Sequence, residues 1–124
     1  MFEITIKDTI YQFKFGLGFV REIDKTQQQK LENGAIQNVG LQYAVASLID
    51  EDPIALVDIL EIANKTERPR VSRAMLDEYI EDESTDLDKL FRDVLDFFEK
   101  SNSTKKKTAK VLELVEKEKA KTES

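Results

Sequence analysis

The stretch from Gly40 to Ala63, G-L-Q-Y-A-V-A-S-L-I-D-E-D-P-I-A-L-V-D-I-L-E-I-A, decides the fold. It reads as two helices joined by an acidic corner. Leu41, Ala44, Val45, Leu48 and Ile49 recur at i, i+3, i+4, i+7 and i+8, which places them on one stripe of a 3.6-residue helix. Asp50-Glu51-Asp52 interrupts the apolar run. Asp52 is predicted to cap the second helix, because its carboxylate accepts from backbone N–H groups that lack a helical partner. Pro53 stands at the first helical position, where a missing N–H is harmless. The second helix carries Ile54, Val57 and Leu60, with Leu56, Ile59 and Ala63 alongside. Apolar over more than one face, it is expected in the middle of the fold.

Upstream, Phe2, Ile4 and Ile6 alternate with Glu3, Thr5 and Lys7, and Tyr11, Phe13 and Phe15 alternate with Gln12 and Lys14. Lys7-Asp8-Thr9 suits a tight turn, so the N-terminus is predicted to be a β-hairpin with one aromatic face. An isolated hairpin is marginal, and the helices are expected to cover that face. The alternative is an exposed strand edge open to a partner strand. Gly16 and Gly18 end the hairpin without forming a G-x-G-x-x-G phosphate loop. Leu17, Phe19, Val20 and Ile23 predict a short helix. Lys25 to Gly34, polar and closed by Asn-Gly, predicts a surface loop.

Downstream, Asn64 to Arg73, N-K-T-E-R-P-R-V-S-R, is the one basic island in an acidic body. Arg68, Arg70 and Arg73 are the candidate partner-binding residues, as a docking site for an acidic segment. The alternative is solvated loop charge, or exposed ion pairs to Glu67 and Asp77. Ser72 is expected to cap the next helix, which carries Leu76, Tyr79 and Ile80. Ser84 or Thr85 is expected to cap the one after. There Leu87, Leu90, Phe91, Val94, Leu95 and Phe98 make the cleanest apolar stripe in the chain. Beyond Lys100 the pattern fades, predicting a helix at about 109–118, loosely docked or free, with a disordered end.

Composition narrows the function. The 124 residues suit one domain with a modest core. Residues 1–98 hold 11 Lys and Arg against 20 Asp and Glu, a balance of −9. Residues 99–124 hold 8 against 5, a balance of +3. A net charge of −6 disfavours nucleic acid and anionic membrane as partners. There is no cysteine and no histidine, which removes the thiolate nucleophile, the commonest general base and the commonest transition-metal ligand. The acidic clusters Asp50/Glu51/Asp52 and Glu81/Asp82/Glu83 lack the alternating spacing and central glycine of a calcium loop. No catalytic residue, metal site or cofactor is expected. No apolar run reaches the roughly 18 residues of a spanning helix, and the N-terminus lacks a signal-peptide pattern, so a cytoplasmic protein is expected.

The order of pieces, a β-hairpin followed by G-L-Q-Y-A-V-A-S-L at 40–48 and D-P-I-A-L-V-D-I-L at 52–60, resembles the tail assembly chaperones of long-tailed bacteriophages and prophages. The resemblance runs roughly from Met1 to Lys107. It implies a non-enzymatic protein that coats the long helical tape measure protein in the host bacterial cytoplasm. Such a chaperone keeps its client soluble until tail tube subunits polymerise, and is absent from the mature virion. It implies no contact residues. Members of such families are often extended by a ribosomal frameshift, giving a longer form that recruits tail tube protein, and Lys105-Lys106-Lys107 is a candidate slippage site. Self-association is left open. The alternatives are a regulatory adaptor using the basic loop and a structural head–tail connector.

The fold expected is mainly α (α+β), with an N-terminal β-hairpin packed on a bundle of about five helices and a flexible basic C-terminal tail. Residues 1–103 form the hairpin plus helical domain, and 104–124 the basic tail, partly helical or disordered.

Overall fold

A computed structural model describes residues 1–123, with side chains as far as Lys121. The chain runs β1 (Phe2–Ile6), β2 (Thr9–Phe13), α1 (Leu17–Asp24), β3 (Gln28–Lys30), β4 (Ile36–Asn38), α2 (Gly40–Ile49), α3 (Pro53–Asn64), α4 (Arg73–Glu81), α5 (Leu87–Lys100) and α6 (Lys105–Glu123). The N-terminal β-hairpin and the helical bundle are as the patterning predicts, with six helices among the described residues.

The central pair forms for local reasons. Asp52 Oδ1 accepts from the backbone N–H of Ile54 at 3.0 Å and of Ala55 at 3.3 Å, and Pro53 opens α3. Glu51 takes a left-handed φ of 57° just past α2, and the Asp52 N–H returns to the Ser47 carbonyl at 3.0 Å. This closes α2 in the way a glycine usually does. Gly40, at the start of α2, abuts the end of α1 so closely that a Cβ would overlap the Ile23 carbonyl. The two helices bury Leu41, Val45 and Leu48 on one side and Leu56, Ile59 and Leu60 on the other.

The first hairpin pairs Phe2 with Phe13 and Ile6 with Thr9. Its two-residue turn holds Lys7 and Asp8 at φ 49° and 67°, the handedness that matches the twist of the flanking strands. One face buries Phe2, Ile4, Ile6, Tyr11 and Phe13. Aromatic rings cover it: Phe2 meets Phe97 at 5.4 Å between centroids, Phe15 meets Phe19 at 5.1 Å, and Phe15 meets Phe98 at 5.0 Å. The aromatics of the hairpin are therefore core. They join α1 and α5 through tilted and edge-on contacts that favour ring pairs beyond simple burial.

Three local readings change. The segment after α1 is not a plain loop but a second hairpin, β3 with β4, turned by Gly34 at φ 86°. Its strands are three residues long and exposed throughout, so no alternating pattern marks them in the sequence. The cap of α5 is Asp86, which accepts from the Lys89 N–H at 3.1 Å, and neither Ser84 nor Thr85. Both of those residues close α4 instead. Ser84 donates its hydroxyl and its N–H to Asp82, and Thr85 Oγ1 donates to the Tyr79 carbonyl at 2.6 Å.

The third change is α6, which begins at Lys105 rather than near 109. It packs on α2 and α5. Thr104 and Thr108 are fully buried, and Val111 is the buried apolar residue of the helix. Thr104 Oγ1 donates to the Phe98 carbonyl at 2.7 Å and Thr108 Oγ1 to the Thr104 carbonyl at 2.8 Å, while Ser103 Oγ donates to the Phe15 carbonyl. Hydrophobic periodicity misses this first turn because threonines occupy its inward positions.

Candidate partner-binding surface

The basic island links α3 to α4, and its shape depends on Asn64. That residue is fully buried at the end of α3. Its Nδ2 donates to the Gln12 carbonyl at 3.0 Å and the Pro69 carbonyl at 3.2 Å, and its Oδ1 accepts from the Val71 N–H at 2.7 Å. One side chain thus ties α3, β2 and the 65–72 loop together. The buried Val71 anchors the far end of the loop.

The three arginines do not act as one set. Arg73, the first residue of α4, folds back on α3. Its Nη1 lies 2.8 Å from Asp58 Oδ1, and its Nε and Nη2 reach the two carboxylate oxygens of Glu61 at 3.1 and 3.3 Å. Hydrogen bonds to Glu61 and then Asp58 raise the guanidinium above its ordinary pKa. The partners are α3 carboxylates, not the Glu67 and Asp77 suggested by sequence proximity. Arg70 is exposed and shares a shallow depression with Arg73, Glu61 and Lys65. Arg68 is exposed outside that wall and donates to the Glu67 carbonyl at 3.3 Å.

A second concave feature lies where α1, α2 and α3 meet. An open groove of about 360 Å³ is walled by Ile23, Tyr43, Ser47, Ala55 and Ile59, and also by the ion-paired Asp58, Glu61 and Arg73. Small side chains at Ala44, Ser47 and Ala55 leave the space, and Tyr43 stands beside it 56% exposed. Ile54, next to Ala55, is 73% exposed and does not join the core as its place on the apolar stripe suggested. It sits in the first turn of α3, ahead of the point where that helix enters the bundle. Tyr43 does carry a sequence signal, being a large aromatic on the polar side of the stripe formed by Leu41, Ala44, Val45 and Leu48.

The acidic clusters have local roles. Asp52 caps α3, and Asp82 receives the Ser84 hydroxyl and N–H, which together hold its carboxyl below the ordinary aspartate range. Among the described residues no group of histidine, cysteine, aspartate or glutamate is placed to hold a metal, and no helix is long and apolar enough to cross a membrane.

The chain is a β-hairpin packed on a helical bundle, with an open groove of mixed polar and apolar lining. Its family follows from comparison with known proteins: a family model described as phage tail assembly chaperone protein matches residues 3–113, from β1 into α6. The chain belongs to the phage tail assembly chaperone family. Neither the curated proteins nor the solved structures provide a significant match.

Proposed function

We propose that this chain binds the tape measure protein encoded with it and keeps that protein soluble during tail assembly, without catalysis. The observation that carries the reading is the open groove beside Tyr43, on a chain of the tail assembly chaperone family. A long helix with an apolar stripe aggregates unless the stripe is covered, and a groove between helices covers one naturally. The net charge of −6 favours solubility of the assembly. The setting is the host cytoplasm, and the protein leaves before the virion is complete.

A frameshift at Lys105–Lys107 would produce a longer form that brings tail tube protein to the complex. It would replace everything after Lys107, including Val111, so the new segment would need its own apolar residue on α2 and α5. Codons for the three lysines that alternate AAG, or the lack of an overlapping downstream frame, would remove this proposal.

Co-expression with the tape measure protein from the same genome is the direct test. Solubilisation and co-purification of that protein are expected. A tape measure protein that stays insoluble and unbound, beside a folded copy of this chain, would overturn the reading.

One observation favours a second reading, an adaptor that docks an acidic segment on Arg68 and Arg70, with Arg73 already held by Asp58 and Glu61. Arg68 and Arg70 stand exposed on a loop pinned by Asn64. Charge reversal at Arg68 and Arg70 should abolish an adaptor's interaction and spare one made through the groove. A head–tail connector, by contrast, would be detected by mass spectrometry of purified particles.

A further inference from the structure

The turn of the β3–β4 hairpin sets a carboxamide beside a glycine nitrogen, in the open. Asn33 is followed by Gly34, and both are exposed. Asn33 Oδ1 accepts from the Ala35 N–H at 2.9 Å. This bond curls the carboxamide across the Gly34 peptide, the arrangement of an Asx turn. Asn33 Cγ is thereby carried towards the Gly34 nitrogen, and the Ala35 N–H draws charge from the carbonyl that Cγ belongs to. Gly34 has no side chain to hinder that approach, and a Cβ placed on it would meet open space, so no neighbouring group shields the turn.

One bond opposes attack. The Gly34 N–H donates to the Leu31 carbonyl at 2.9 Å and must let go first. That hold is weak, because β3 and β4 are three residues each and exposed throughout. A two-stranded hairpin of that kind is marginal, and exposed elements open long before the fold as a whole. The other asparagines differ. Asn64 is sealed, and its carboxamide is engaged by three hydrogen bonds. Asn38 precedes the β-branched Val39 and Asn102 precedes Ser103, so each faces a side chain on the attacking residue.

We propose that Asn33 is a site of spontaneous deamidation, and that its isoaspartyl product unpairs β3 from β4. The Gly34 nitrogen gives up its proton to water and bonds to Asn33 Cγ. The bond from Cγ to Nδ2 then breaks, and the nitrogen leaves as ammonia after taking a proton back. Water opens the resulting five-membered imide. Attack at Cγ gives aspartate, and attack at the main-chain carbonyl gives isoaspartate, whose chain runs through Cβ and Cγ. The isoaspartyl form thus adds a main-chain carbon inside the turn, and the bonds from Gly34 to Leu31 and from Leu31 to Ala35 lose their register. Thr26 and Gln27, at the root of the hairpin, border the groove beside Tyr43. An effect on partner binding rests on the proposed function, whereas the modification itself does not.

The test incubates the full chain at neutral pH and 37 °C and follows each asparagine by peptide mass spectrometry. Labelling with isoaspartyl methyltransferase separates isoaspartate from aspartate. Asn33 should convert roughly tenfold faster than Asn38, Asn64 or Asn102, with isoaspartate as the main product. Gly34→Ala should slow conversion about tenfold. Its methyl group hinders attack whether the turn is formed or open, so the variant reads the chemistry even where the hairpin is lost. In the isoaspartyl chain, NMR should show the cross-strand contacts of Gln29 with Gln37 lost and the α3 amides unmoved, while an Asn33→Asp chain keeps those contacts. Conversion at Asn33 no faster than at Asn102, no effect of Gly34→Ala, or an isoaspartyl chain that keeps β3 paired with β4 would each overturn the proposal. The tape measure protein plays no part in this experiment, so its outcome and that of the co-expression test are read separately.

Discussion

At the scale of single residues, the decisive side chain is one whose letter looks unremarkable. Asn64 follows an apolar helix and precedes a lysine, so it reads as a polar boundary. In the fold it is sealed, and it bonds three backbone groups, one from distant β2 and two from the loop that follows it. Replacing it by leucine leaves the buried Val71 N–H without a partner, a loss of about 1–3 kcal/mol, and removes the part-buried bonds to Gln12 and Pro69 as well. Asn64→Leu is therefore expected to lower the urea midpoint by the equivalent of about 3 kcal/mol and to expose the 65–72 loop to proteolysis. A midpoint equal to that of the parent chain would show the Asn64 bonds to be dispensable. The arginines teach the converse lesson. Arg73 looks like one of three similar cations, yet it is held by Asp58 and Glu61, because α4 begins against the side of α3.

At the scale of elements, α5 has the plainest pattern in the chain, and its aromatic residues hold the first hairpin and α1 together. Phe98 is fully buried and meets both Phe15 and Phe19. Phe98→Ala should cost about 3–5 kcal/mol, a large part of the roughly 5–15 kcal/mol that stabilises an ordinary domain. Thermal unfolding should show either a large fall in Tm or a chain without a cooperative transition. The corner between α4 and α5 carries a pH dependence. Asp82 has its pKa lowered from 3.8, chiefly by the Ser84 hydroxyl and then by the Ser84 N–H. A carboxyl lowered in the folded state stabilises above its unfolded pKa, and that contribution is lost as pH falls through the folded value. The parent chain should therefore lose more Tm than an Asp82→Asn chain between pH 5 and pH 2.5, and parallel curves would contradict this. Most of these elements were legible in advance because caps, prolines and 3.6-residue spacing act within a few residues. The β3–β4 hairpin and the first turn of α6 were not, since one buries no side chain and the other buries threonines.

At the scale of the molecule, Tyr43 and Ile54 are among several large apolar side chains left exposed, and Tyr43 lines the open groove with Ile54 next to Ala55 in its wall. A double variant, Tyr43→Asp with Ile54→Asp, should keep its stability within about 0.5 kcal/mol, as surface changes usually do. It should lose co-purification with the tape measure protein. Retained co-purification would move the contact surface elsewhere on the bundle. Nothing in the spacing of Ile54 separates it from Val57 and Leu60, which share its stripe. The tertiary structure alone leaves Ile54 exposed while Leu56, two residues on in the same turn, is fully buried.

The sequence by itself determined the central helix pair, the aromatic hairpin, the caps at Asp52 and Ser72 and the amphipathic α5. Backbone hydrogen bonding, capping and periodicity are settled between near neighbours. Its order of pieces also pointed to the chaperone family that residues 3–113 match. The tertiary structure alone decided which polar residues are sealed inside, namely Asn64, Thr104 and Thr108, which apolar ones stay in water, and where Arg73 is tied. Those outcomes depend on groups far apart along the chain, as with the Gln12 carbonyl that Asn64 holds, and no local pattern records such a meeting.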